Sequence, residues 1–199
     1  MKKILAVILC CIACLSCQSQ GKTDLEKTDF SKNYKEILKG ARVKTEAREM
    51  VTTLPIAHTP DVSNFIFGNI AFKNSKANAI KSSSVGVLIN NTTERLTEGI
   101  KIEVEDTAAG NELLAYLKSK YKAPKVLAGI PGKNSEGKVL GNSAYAWTLR
   151  DKTLVLVQYY EYTDNKPDIS SVLFMVDNKA TVPELRQNVA SRIIKTFTP

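Results

Sequence analysis

Apolar and polar positions follow three rhythms along this chain. From Ile4 to Leu15 the apolar residues run nearly unbroken. From Tyr34 to Ala41 they recur at Tyr34, Ile37, Leu38 and Ala41, the spacing of one helix face, with Ser31 placed as an N-cap and Gly40 as a stop. Further on the step is two. Ile100, Ile102 and Val104 point to one side of a strand, and Lys101, Glu103 and Glu105 to the other. Residues 65–72 and 85–89 read as two more strands, with Asn90-Asn91 and Glu98-Gly99 as turns. Residues 53–61 carry Pro55 and Pro60 around the sole histidine, His58, and read as a connecting loop.

The second half of the chain is patterned more densely. Asp106 or Thr107 can cap a helix that reaches Tyr121, with Leu113, Leu114, Leu117 and Tyr121 on one stripe. Lys118, Lys120 and Lys122 suit its negative C-terminal end, and Pro124 stops it. Residues 129–141 read as a mobile, basic, glycine-rich loop. Residues 143–149 and 153–162 form the strongest hairpin signal. A turn at Asp151-Lys152 would set Leu149 opposite Leu154, Trp147 opposite Leu156 and Tyr145 opposite Gln158. Both faces of this hairpin are mainly apolar, which predicts cover on both sides, and Ala144 and Ala146 leave room for a close helix. A strand over 171–176 follows, then a helix from the capping box Thr181/Glu184 to about Phe197. The predicted class is α+β: a mainly antiparallel sheet of about five to six strands with helices packed on it.

The N-terminal segment changes the picture of where the chain resides. Lys2 and Lys3 precede a short apolar run that ends in small residues and Cys17, followed by polar Gln18-Ser19-Gln20. That order is the plan of a secretory signal peptide, and the run falls short of the ~20 residues a spanning helix needs. Leu15-Ser16-Cys17 resembles the lipobox of bacterial lipoproteins. The resemblance implies cleavage before Cys17 and acyl chains, palmitate among them, on its thiol. The lipobox favours a larger aliphatic residue three places before the cysteine, where this chain has Cys14, and Cys14 is the second candidate for modification. Ordinary secretory cleavage, before Cys17 or after Ser19, is the rival. The expected organisation is a signal peptide over 1–16, a lipidated cysteine and flexible tether over 17–30, and one globular domain over 31–199. Two or more acyl chains hold a protein stably on a bilayer. Gln18 after the cysteine resembles outer-membrane sorting, so the expected location is the cell envelope: the periplasm, outer membrane or cell surface.

Composition narrows the chemistry. Cleavage before Cys17 leaves 183 residues, one domain's worth, with no further thiol. Disulfides, cysteine nucleophiles and zinc–thiolate sites are then excluded from the domain. The net charge of +8 becomes +6 without Lys2 and Lys3, a moderately basic solvated surface for which nucleic acid is not the expected partner. One histidine, in the loop, offers little to a hydrolase triad. Gly129-Ile130-Pro131-Gly132-Lys133-Asn134 has two residues between its glycines where a phosphate loop needs four. No cofactor and no metal site is expected. Glu103 and Glu105 share a strand face and are the one carboxylate pair of interest.

Tyr145, Trp147, Tyr160 and Tyr162 are the candidate binding residues, since Tyr and Trp join apolar area to a polar tip. The expected function is a non-enzymatic, lipid-anchored binding or assembly module, joined to the membrane through Cys17 and recognising an envelope protein or glycan. An immunity or inhibitor lipoprotein against a toxin or hydrolase is one alternative. A glycan-acting enzyme that relies on carboxylates is the other.

Overall fold

The computed structural model describes residues 21–46, 48–73, 82–90, 95–163 and 165–199. The expected signal segment, Cys14, Cys17 and Gln18 lie outside them. The centre of the fold is an eight-stranded sheet in the order β2-β3-β6-β7-β11-β10-β9-β8. Its strands are β2 (Lys44–Glu46), β3 (Ile56–Thr59), β6 (Ser84–Ile89), β7 (Thr97–Val104), β8 (Lys125–Ala128), β9 (Gly141–Thr148), β10 (Lys152–Thr163) and β11 (Lys166–Asp177). Every pairing within it is antiparallel.

The predicted class holds, but the sheet is wider than the five to six strands expected. Three of its strands carry no alternation to read. β2 is exposed along its length, β3 lies between the two prolines expected to bracket a loop, and β8 is only four residues long. The stretch around Phe65–Phe72 leaves the main sheet. It forms β4 (Phe65–Phe67) and β5 (Ile70–Ala71), which pair with β1 (Thr23–Asp24) in a small sheet.

One face of the large sheet is covered by α2 (Thr107–Tyr121), by the small sheet and by the single-turn α1 (Tyr34–Ile37). Leu113 and Leu117 of α2 pack there with Ile100, Ile102, Tyr145, Trp147, Leu154 and Leu156. Asp106 caps α2 as expected, its carboxylate accepting the Ala109 N–H at 2.7 Å. α1 is shorter than predicted because Asn33, not Ser31, caps it, while Ser31 turns back onto Asp29. Gly110 brings α2 against the sheet. A Cβ there would lie 2.3 Å from Ser171 Oγ, too close for any other residue without movement.

Residues 23–30, expected in the tether, belong to the fold. Leu25 is fully buried, and Glu26 is buried between the N-terminal strand and α2. Its carboxylate accepts hydrogen bonds from Tyr116 Oη (2.8 Å), Lys120 Nζ (2.7 Å) and Tyr121 Oη, and its carbonyl accepts from Lys152 Nζ at 2.8 Å. No local pattern announces this clip, because its partners lie 90 to 126 residues away.

The opposite face is covered by α3 (Val189–Thr196), through Val189, Ala190 and Ile193. Ala144 and Ala146 lie in the same cluster, where small side chains leave space for the helix. α3 begins later than the Thr181/Glu184 capping box predicts. Thr181–Val182 (β12) pairs instead with Gln187–Asn188 (β13), and Asn188 caps α3 by accepting from the Ser191 N–H at 3.0 Å. Leu185, inside the span predicted as helix, is half exposed on the turn between β12 and β13.

The central hairpin forms two residues out of the predicted register. Trp147 pairs with Leu154 and Tyr145 with Leu156, with Arg150-Asp151 at the turn. A slide of two keeps each side chain on its predicted face, whereas a slide of one would exchange the faces.

Candidate functional site

α3 cannot cover its face of the sheet. Eight helical residues span about 12 Å, whereas the twelve residues of β10 or β11 run about 40 Å. Phe197, next after α3, lies 6.5 Å from Phe174 between ring centres, and beyond that contact the face is only partly covered. The open half is a groove of two hollows, of about 260 and 420 Å³, which meet at Glu103.

Strand register builds the groove. One row across the sheet reads His58, Gly86, Lys101, Phe174, and the next reads Ser84, Glu103, Val172. Gly86 keeps the floor low between His58 and Lys101. A Cβ there would come 2.5 Å from Ile56 Cδ1. The segment from Arg48 to Leu54 folds over one end and delivers Glu49, only 4% exposed, onto the floor.

The charges are locked in pairs. Lys101 Nζ lies 3.1 Å from Glu49 Oε1 and 2.9 Å from Glu103 Oε1, and 5.8 Å above the Phe174 ring centre. Glu103 Oε2 accepts from Ser84 Oγ at 2.6 Å. Glu49 Oε2 accepts from the Val51 and Thr52 N–H groups (2.9 and 2.7 Å) and from Thr52 Oγ1 (3.0 Å). Burial works against the Lys101 ammonium, but Glu103 and Glu49 outweigh it and hold the amine above the ordinary lysine range. Tyr159, on the far wall, is raised by burial; Lys101 opposes the rise, and Glu49 and Glu103 add to it.

His58 is a strand residue, not a loop residue. Its Nε2 lies 3.0 Å from Glu46 Oε1, without a hydrogen bond of good geometry. Around these groups stand the exposed Glu161 on the far wall and Met50, 91% exposed, on the near rim.

The aromatic residues singled out from the sequence are elsewhere. Tyr145 and Trp147 are buried beneath α2, Trp147 donating from Nε1 to the Lys122 carbonyl at 3.0 Å and Tyr145 lying under Lys118. They are core, not a binding surface. Tyr160 and Tyr162 are partly exposed at the far end of the α2 face. Tyr160 Oη is 3.1 Å from Ser143 Oγ, and Lys138 lies over the Tyr162 ring. The four do not form one site, because successive even positions of β10 pass out from under α2.

Sequence alternation put Lys101, Glu103 and Glu105 on a common outer face, and that placement holds. Their enclosure was not legible, because alternation does not say whether the second face is covered. No protein-family model matches this chain, and neither the curated proteins nor the solved structures compared with it give a match.

Proposed function

We propose that this is a non-enzymatic, lipid-anchored binding module of a bacterial envelope, held to its membrane through Cys17 and presenting the open groove to an envelope protein or glycan. The observation that carries the reading is the state of Lys101. A lysine that serves as base or nucleophile needs its amine proton loosened. Here two carboxylates tighten it, so the groove carries fixed, paired charge under a rim of exposed Met50. Fixed charge of both signs beside apolar area suits selection of a polar partner surface. The anchor is supported by the order of the first twenty residues. Six residues from Cys17 to Thr23 reach at most about 20 Å, so a lipidated chain holds the domain close to the bilayer.

Two measurements test the two halves. Mass spectrometry of the mature N-terminus should find an acylated Cys17, and an unmodified peptide starting beyond residue 17 removes the anchor. For the groove, Met50→Cys and Ser119→Cys each carry a photoreactive thiol label in intact envelopes, Ser119 being exposed on α2 across the sheet. A defined adduct from position 50 and none from position 119 supports the groove. Equal adducts, or none from position 50, reject it. Cleavage of an envelope glycan that is lost in Glu103→Gln would replace this reading with a carboxylate-dependent enzyme.

A further inference from the structure

A second cleft lies beside the groove and shares Glu46 and Arg48 with its nearer hollow. It encloses about 690 Å³, within the range of small-molecule sites, and is lined by Arg48, Arg95, Arg192 and Thr53 with Glu46 and Glu184. The three arginines come from the segment before β3, the segment before β7 and α3, so the cleft exists only in the folded chain.

Two of these guanidinium groups are held in place, and none of the three makes an ion pair among the described residues. Arg192 is fixed by donating from Nε to the Val51 carbonyl at 2.7 Å. Arg95 lies over the Tyr34 ring, 5.4 Å from its centre. Arg48 has no ion-pair partner among the described residues, and Glu46, the nearer acid along the chain, approaches His58 instead. Thr53 adds a hydroxyl whose Oγ1 is buried without a hydrogen-bond partner. An unsatisfied buried hydroxyl is costly, and the cost vanishes when an acceptor arrives. Leu54 and Val182 add apolar wall.

We infer that this cleft binds a small multivalent oxyanion, a phosphate or a polycarboxylate, with Arg48, Arg95 and Arg192 facing its oxygens and Thr53 Oγ1 donating to one of them. Guanidinium forks match the paired oxygens of both groups, and chloride offers no such match.

The test uses the full-length protein in detergent. Isothermal titration and thermal unfolding are run with inorganic phosphate, citrate and sodium chloride at equal ionic strength. Phosphate, citrate or both should give saturable binding and a rise in Tm that grows with the logarithm of concentration, and chloride should not. Whichever anion binds identifies the class. Arg48→Gln, on an exposed and unpaired side chain, should leave the Tm without ligand unchanged and weaken binding about tenfold. Thr53→Val keeps the shape and should weaken it roughly three- to tenfold. The inference is overturned if neither anion exceeds chloride, or if the anion effect survives undiminished in Arg48→Gln and Arg95→Gln.

Discussion

Glu26 ties the start of the domain to α2, and replacing it tests whether that clip contributes to stability. Its carboxylate is 5% exposed and accepts from two tyrosine hydroxyls and one ammonium. Glu26→Gln keeps the shape and leaves an acceptor for Tyr116 and Tyr121, but removes the ion pair with Lys120. The Lys120 side chain is 45% exposed and rehydrates, so the loss is about 1–2 kcal/mol, the scale of one hydrogen bond to a charged group. Glu26→Ala removes all three bonds and strands two hydroxyls, for roughly 3 kcal/mol. At ~2–4 °C per kcal/mol for a domain of this size, the Tm falls by about 2–8 °C for Gln and somewhat more for Ala.

The pH dependence is sharper evidence than the size. Burial alone would raise this carboxyl, but hydrogen bonds from Lys120, Tyr121 and Tyr116 outweigh it, and its native pKa lies below the ordinary 4.5. A carboxyl lowered on folding adds stability that is fully present above 4.5 and is lost as pH falls through its native value. Urea unfolding, followed by emission from the buried Trp147, therefore shows a gap between parent and Glu26→Gln at pH 7 that narrows towards pH 3. The reasoning fails if the variant stays within about 0.5 kcal/mol of the parent at pH 7, the scatter of neutral surface changes, or if the gap is the same at both pH values.

Three other substitutions probe the packing and the groove. Gly110→Ala drives a methyl into Ser171 and should destabilise by about 1–3 kcal/mol in urea unfolding, whereas Gly129→Ala, with nothing within 4 Å, should stay near neutral; equal effects would refute the close approach of α2. Lys101→Met leaves Glu49 and Glu103 without their shared cation and should cost about 3 kcal/mol at pH 7. A deficit within about 0.5 kcal/mol of zero counts against the network. In the parent, the raised Lys101 contributes fully below 10.5 and is lost only as pH rises through its higher native value.

Much of the fold was legible because its causes are local. The Asp106 cap, the leucine stripe of α2, the β9–β10 hairpin and the faces of β7 each rest on residues within a few positions of one another. Their patterns survive in the structure, even where the hairpin turn moved by two. The C-terminal helix was misplaced by the same kind of signal. Thr181 and Glu184 look like a capping box, but Asn188 makes the better cap once Thr181 and Val182 pair with Gln187 and Asn188.

The sequence by itself determined the absence of cysteine beyond residue 17, the α+β class and the side of the sheet to which most strand residues point. Only the tertiary structure decided which side chains stay open. Glu26 is buried by tyrosines from α2, Lys101 is enclosed by a segment that crosses over from Glu49, and three arginines far apart in sequence line one cleft. The physical reason is that hydrophobic periodicity records which face of an element is apolar. What lies over that face depends on strand order and on a helix too short to span the sheet, and neither leaves a periodic trace.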